Sequence, residues 1–233
     1  ISRAARIPTG WEIVLELVRK CAHLHGENCE PAPEEWYEKK YGKAPDYAEL
    51  LEMVGKTSSE RQLLLRGYFE PSVEEQEEGA KQPTQAHRAI ARLVAAGYVR
   101  VIVTTNFDRL MERALEEVGV APSVLSTPDQ IEGAMPLVHQ RCSVIKVHGD
   151  YLDTRLKNIP YELAGYDPRL NGLLDQVFDQ FGLVTCGWSA DWDVALRAAI
   201  ERAPSRRFTA YWAARGALST TAQQLLDHRA GVQ

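Results

Sequence analysis

The chain has 233 residues, with 27 Lys and Arg against 32 Asp and Glu, a net charge of −5 and a pI near 5.7. This acidic balance argues against nucleic acid as a direct partner of the chain. Apolar residues make up 45% and charged residues 25%, as in ordinary soluble globular proteins. No apolar run approaches the roughly 20 residues of a membrane-spanning helix, so we expect no membrane partner.

Cysteine usage bears on metal sites and on the cellular compartment. Cys21, Cys29, Cys142 and Cys186 include no C-x-x-C pair, which excludes a zinc ribbon built from such pairs. Cys142 and Cys186 lie in apolar, strand-like runs, so we expect reduced, buried thiols in a cytoplasmic protein. A metal site in "CAHLHGENC" is an alternative, but an ordinary loop at a helix end explains the same residues, and we expect no metal.

The first predicted element is a helix over residues 9–24. Thr9 and Glu12 form a T-x-x-E capping box, and apolar residues recur behind them at helical spacing. Residues 26–83 are rich in Glu, Lys, Tyr and Pro, with short helical patterns such as "YAELLEMV" and no convincing strand. We interpret them as a small helical module, and the acidic stretch "EPSVEEQEEGAKQP" within them as a solvated loop.

Strands and helices alternate from residue 84 onward. The predicted strands cover 98–103, 123–125, 143–147, 182–186 and 207–212. The predicted helices cover 84–96, 108–118, 167–180, 192–202 and 220–229. Near-continuous apolar strands separated by helices predict an α/β fold, with a parallel sheet covered by helices on both faces.

Polar clusters follow three of the predicted strands. They read "TTNFD", "HGD" and "GWSADWD", and each begins where a strand ends. Ligands of open parallel sheets bind beyond the carboxyl ends of the strands, so we expect the three clusters to line one crevice.

Each cluster also has a simpler explanation. Asn106 or Asp108 could cap the following helix. His148 could be a hydrogen-bonded structural histidine, and Gly187 and Ser189 could serve a loop and a helix cap. The equivalent position of all three clusters, just past a strand end, favours a shared site.

The clusters resemble a known family. "TTNFD" at 104–108, "KVHGD" at 146–150 and "GWSADWD" at 187–193 resemble the bacterial sirtuin-like domains of antiphage defence proteins. "ISRAARIPTGW" at 1–11 is similar to the continuation of the sirtuin Gly-Ala-Gly-x-Ser loop, whose glycines would precede Ile1. The resemblance extends to about residue 216.

The resemblance implies a fold and a division of the chain. It implies a Rossmann-like NAD-binding domain formed by residues 1–25 and 84–233. Residues 26–83 would be the inserted helical module, without the zinc ribbon of other sirtuins.

The resemblance also implies an activity. Sirtuin deacylases carry a four-cysteine zinc ribbon, whereas the defence-type relatives lack zinc and hydrolyse NAD to nicotinamide and ADP-ribose. The implied function is an NAD+ glycohydrolase, the effector domain of an antiphage system, acting as a homo-oligomer or in a larger defence complex. A non-catalytic sensor that binds NAD or ADP-ribose is the alternative, and NAD-dependent protein deacylation is less favoured.

The implied catalytic residues are Asn106, which would hold the water or a ribose hydroxyl, and His148, which would accept a proton. An imidazole with an unperturbed pKa of about 6.5 suits a base at neutral pH. Ser2 would face the phosphates, and Gly187 and Ser189 would contact the adenosine half. The full set of expected NAD-binding residues is Ser2, Thr105, Phe107, Asp108, Gly149, Gly187 and Ser189.

Overall fold

The computed structural model describes residues 1–152 and 165–233. The α-helices are α1 Gly10–Leu24, α2 Pro33–Tyr41, α3 Tyr47–Val54, α4 Ser58–Phe69, α5 Val73–Glu77, α6 Gln85–Ala95, α7 Leu110–Glu117, α8 Pro128–Glu132, α9 Pro168–Gln180, α10 Val194–Arg202 and α11 Thr220–His228, with 3₁₀ turns at Ser2–Ala5 and Leu137–His139. The strands are β1 Val101–Thr104, β2 Ser123–Leu125, β3 Ser143–Lys146, β4 Leu183–Cys186 and β5 Ala210–Ala213. Among the described residues, none of the helices combines the length and apolarity needed to cross a bilayer.

Every strand pair is parallel, as the alternation of strands and helices predicts. β3 lies between β1 and β2, with Thr104 opposite Lys146, and β4 pairs with β5. Within the described ranges no ladder joins β1 to β4, so the strands form a three-stranded and a two-stranded group. Apolar periodicity identifies a strand, but it does not specify which neighbour pairs with each edge.

Helices cover both faces of the three-stranded group. Along β1, Val101 and Val103 pack into a cluster with α9, α10 and α11, whereas Ile102 packs with α6 and α7 on the opposite face. This alternation follows from the two-residue period of a strand. The predicted α/β fold, a parallel sheet between helical layers, is confirmed.

The helices of residues 26–83 lie over the carboxyl end of the sheet. This segment contains α2 to α5 and no strand, as predicted, and α3 coincides with "YAELLEMV". Residues of α1, α3 and α4 share an apolar cluster with Phe107 and Tyr151, which follow β1 and β3 respectively. Because α1 packs with the helices of 26–83, the division of the chain between this segment and residues 1–25 plus 84–233 stays a prediction.

The acidic stretch at 70–83 is largely exposed from residue 72 to residue 79, as its composition predicts, but it is not a loop throughout. It contains α5, and Lys81 is buried with its ammonium donating to Gly67 O at 2.8 Å, Glu70 O at 3.3 Å and Glu75 Oε2 at 2.8 Å. A lysine tolerates burial when its charge and its hydrogens all find partners. Such partners cannot be recognised from composition alone.

The prediction for the strand cysteines is right for one and wrong for the other. Both are free thiols; Cys142 is buried, and burial raises its pKa to about 11. Cys186 is exposed because β4 turns Thr185 to the core and the residues on either side of it outward. Val184, on the same outward face, is 64% exposed.

Candidate functional site

The ends of β1 and β3 bring two of the three polar clusters to one edge of the sheet. Thr104 pairs with Lys146, so Asn106 and His148 each lie two residues beyond the last paired residue of neighbouring parallel strands. The ring of Phe107, directly after Asn106, has its centre 6.3 Å from that of His148. The Asn106 amide and the His148 imidazole therefore lie at equivalent positions on the same edge of the sheet.

The beginning of the chain also reaches this edge. Asn106 Nδ2 donates to Ser2 Oγ at 2.9 Å, and His87 Nε2 lies 3.4 Å from the same oxygen. Asn106 is further tied to its own strand, because its backbone N–H donates to Thr104 Oγ1 at 3.1 Å. Asn106 Oδ1 bonds to no residue in the described part of the chain.

The backbone has a positive φ at three positions within the clusters, and glycine occupies two of them, the third being Ala190 with φ +65°. Gly187 has φ +70°, and a Cβ there would lie 2.9 Å from Ile1 Cγ1 and 3.1 Å from Ile1 N. Gly149 has φ +101° and donates its N–H to Lys146 O. Only glycine adopts these conformations without strain. The close approach of Gly187 to Ile1 places the third cluster beside Ser2.

His148 is held by a carboxylate that the sequence analysis did not single out. His148 Nε2 lies 2.7 Å from Asp193 Oδ1, which is ion-pair distance, but the angles are not those of a hydrogen bond, and neither atom has a hydrogen-bond partner among the described residues. The other carboxylate oxygen of Asp193 accepts Trp188 Nε1–H at 2.6 Å, and Trp188 stacks on Trp212 with ring centres 5.8 Å apart. Asp193 thus connects His148 to the aromatic core beneath β4 and β5.

The charge of Asp193 determines which nitrogen of His148 is free. Burial by itself raises the pKa of Asp193, but its contacts with His148 and Trp188 and the charge of Arg197 outweigh burial, so its pKa lies below the usual value. An ionised carboxylate can only accept, so the hydrogen of the neutral imidazole belongs on Nε2. The lone pair of Nδ1, which bonds to no described residue, is then the available base.

Other predicted site residues occupy positions that local structure explains. Asp108 is buried, and its Oδ1 accepts the Leu110 N–H at 2.9 Å, in the turn that leads into α7, whose N-cap residue is Arg109. Ser189 is exposed and its Oγ accepts the Asp191 N–H at 3.3 Å, within its own turn. Thr105 is half-buried and, like Ser189, makes no hydrogen bond to another predicted site residue among those described. Their roles toward a ligand stay predictions.

A buried lysine fastens the loop after β1 to the end of β3. The Lys146 ammonium lies 3.1 Å from Phe107 O, 2.7 Å from Asp108 O, 2.9 Å from Asp150 Oδ2 and 3.2 Å from Glu112 Oε1. Its side chain is completely inaccessible to solvent. Burial raises the pKa of Glu112, and the charge of Lys146 opposes that rise. Lys146 therefore sets where the loop carrying Asn106 lies relative to the strand carrying His148.

Two surface cavities lie away from the predicted site residues. One, of about 340 Å³, is lined by Arg109, Ser126, Gln130 and Asp150 among others, and one of about 470 Å³ lies near the start of β2. Neither is lined by a predicted site residue. Across residues 1–152 and 165–233, no three His, Cys, Asp or Glu side chains are grouped as a metal site.

The Lys146 contacts yield a stability prediction. Lys146→Met should lower the free energy of unfolding by about 3–5 kcal/mol. Glu112 and Asp150 would stay buried, and their remaining cation among the described residues would be the more distant Arg109, at 3.9 and 3.8 Å. Chemical denaturation followed by circular dichroism measures this, and adding Glu112→Gln and Asp150→Asn should recover part of the loss. Lys20→Met, which removes an exposed pair with Glu16, should cost less than about 1 kcal/mol. Equal losses in the two single variants would contradict the assignment.

Comparison with known protein families identifies the family of the chain. The model of the SIR2-like domain family matches residues 100–231, a span of 132 residues that includes all five strands and the residues from Asn106 to Asp193. No curated protein shows a significant match to the chain. SIR2-like domains are typically enzymes that use NAD as a substrate. Since the match covers more than half of the 233 residues, the chain belongs to the SIR2-like family.

Proposed function

We propose that the chain is an NAD+ glycohydrolase that cleaves NAD+ into nicotinamide and ADP-ribose. The observation that supports this most directly is a set of three polar groups that the described residues leave unsatisfied at one sheet edge. They are the Ser2 hydroxyl hydrogen, Asn106 Oδ1 and His148 Nδ1. Asn106 is half-buried, so a polar atom left open at this edge is hydrated in the free protein and can exchange its water for a ligand.

The chemistry of these groups suits the cleavage of the nicotinamide–ribose bond. That bond breaks with its electron pair moving to the pyridinium nitrogen, which becomes neutral, so the leaving group needs no proton. Positive charge spreads over the ribose as the bond breaks, as in glycoside hydrolysis. A water oxygen then bonds to the anomeric carbon and releases one proton.

Asn106 and His148 have the properties that the water step needs. Asn106 Oδ1 accepts a hydrogen from the water or from a ribose hydroxyl and so orients it. His148 Nδ1 takes the released proton, and the carboxylate of Asp193 stabilises the imidazolium that forms. Phe107, whose ring centre lies 6.3 Å from that of His148, would form one wall of the site.

Hydrolysis is favoured over protein deacylation by the cysteines of the helical segment. Residues 26–83 contain one cysteine, Cys29, so this segment cannot form the four-cysteine ribbon that the resemblance associates with deacylases. This is a property of the sequence itself. It supports water as the acceptor of the ADP-ribosyl group.

We also propose a setting for this activity. The motifs "TTNFD", "KVHGD" and "GWSADWD" support a role as the cytoplasmic NAD-depleting effector of an antiphage system. The same resemblance supports assembly as a homo-oligomer or within a larger defence complex. Size-exclusion chromatography with light scattering measures the assembly state directly.

The activity is tested by incubating the full-length protein with NAD+ and quantifying nicotinamide and ADP-ribose by chromatography. Asn106→Ala and His148→Ala should each lower kcat by about 10²–10⁴, the usual contribution of a positioned base or its oriented water. The exposed residues Asn28 and His139 provide matched controls, Asn28→Ala and His139→Ala, which should retain activity. Binding of NAD+ without nicotinamide release would indicate a sensor, and undiminished hydrolysis in either site variant would overturn that residue's role.

Asp193 gives a separate prediction. Asp193→Asn should lower kcat by at least roughly 10-fold with little change in KM, because the carboxylate orients His148 without touching NAD+. Asp191→Asn, an exposed carboxylate in the same loop, is the control. A larger change in KM than in kcat would contradict this assignment.

The pKa of Asp193 also sets a pH dependence of stability. Because the folded pKa lies below the unfolded value of about 3.9, the ionised group stabilises the fold above that pH. This contribution should be constant from about pH 5 to 8 and should disappear as the pH falls through the folded pKa. Denaturation of the wild type and Asp193→Asn from about pH 2 to about pH 8 measures the difference.

A further inference from the structure

His87 has its hydrogen on a defined nitrogen. The backbone N–H of Thr84 lies 3.1 Å from His87 Nδ1 and, as an N–H, can only donate to it. Nδ1 therefore carries no hydrogen, and the neutral ring must carry its hydrogen on Nε2. Burial lowers the pKa of His87, and the nearby charge of Asp108 only partly opposes this, so the ring is neutral near pH 7.

The Ser2 hydroxyl is consequently saturated as an acceptor. His87 Nε2–H faces Ser2 Oγ at 3.4 Å, and Asn106 Nδ2–H donates to it at 2.9 Å. A hydroxyl oxygen has two lone pairs, and these two donors occupy both. The hydroxyl hydrogen remains, and no described residue accepts it.

We propose that His87 is a positioning residue that sets the hydrogen-bond polarity of the site, making Ser2 a donor and leaving Asn106 Oδ1 as an acceptor. The proposal rests on the proposed function and deepens it by assigning a chemical class to the Ser2 subsite. Ser2 binds an oxygen that carries no hydrogen, such as a phosphate oxygen of the dinucleotide. A ribose hydroxyl or a water, which can donate, meets Asn106 instead.

The role of His87 in capping α6 can be separated experimentally from its role as a hydrogen-bond donor to Ser2. Thr84 and His87 form the capping box of α6, a position where Glu or Gln serves equally well. Gln at position 87 can cap through its carbonyl oxygen and donate to Ser2 through its amide. Met has nearly the shape of Gln but can do neither. The pair His87→Gln and His87→Met therefore tests the donor.

The experiment is a double-mutant cycle between His87 and Ser2, read by NAD+ hydrolysis and by the Kd of ADP-ribose from calorimetry. His87→Met should lower kcat/KM roughly 10-fold, about the effect of one lost hydrogen bond, and His87→Gln should retain most of the activity. In a Ser2→Ala background, His87→Met should have no further effect. His139→Met, at an exposed histidine, is the control, and unfolding curves of each variant report on the fold.

The outcomes separate this proposal from the proposed function. If His87→Met costs as much with Ser2→Ala as without it, His87 does not act through Ser2 and the proposal is overturned. The same holds if His87→Gln is as impaired as His87→Met while both unfold like the wild type. If ADP-ribose binds but no nicotinamide is released, the hydrolase function fails and the cycle is decided from Kd alone. If the wild type neither binds nor hydrolyses, both fail.

Discussion

The buried ammonium of Lys146 is the contact on which the geometry of the site depends. Backbone pairing between β1 and β3 ends at Thr104 and Lys146, yet Asn106 and His148 lie beyond this point. Lys146 extends the connection by bonding to the carbonyls of residues 107 and 108 as well as to two carboxylates. Buried carbonyls and charges are costly without partners, so this arrangement holds the loop in one position.

Much of the fold could be predicted because its signals are local. The capping box of Thr9 and Glu12 is formed, and α1 follows it as expected. The predicted strands and helices from residue 84 onward are present to within a few residues at each end, whereas α8 and the 3₁₀ turn at Leu137–His139 were not predicted. The ends of the parallel strands predict where a ligand would meet the protein, and Asp108, offered as a helix cap, instead bonds to the Leu110 N–H just before α7, whose N-cap residue is Arg109.

The contacts that give the site its chemistry could not be predicted, because their partners are far apart in the chain. Ser2 and His87 are separated by 85 residues, and Asp193 is no more conspicuous in "GWSADWD" than Asp191. The burial of Lys81 within the acidic stretch and the exposure of Cys186 were not predicted, for a related reason. In each case the environment is set by tertiary packing, which composition and periodicity do not encode.

The ligand chemistry of the site is determined by the residues behind it as much as by those that face it. Asn106 could present either end of its amide, and His148 either nitrogen, if each were considered alone. Ser2 Oγ accepts one hydrogen of the Asn106 amide, and Asp193 faces Nε2 of His148. Asn106 therefore keeps its carbonyl oxygen and one N–H for a ligand, and His148 keeps Nδ1. Since these partners come from the chain's beginning and from the loop before α10, the pattern exists only when the whole α/β unit has folded. Unfolding of this unit therefore abolishes the hydrogen-bond pattern of the site, although every residue of the site is still present in the chain.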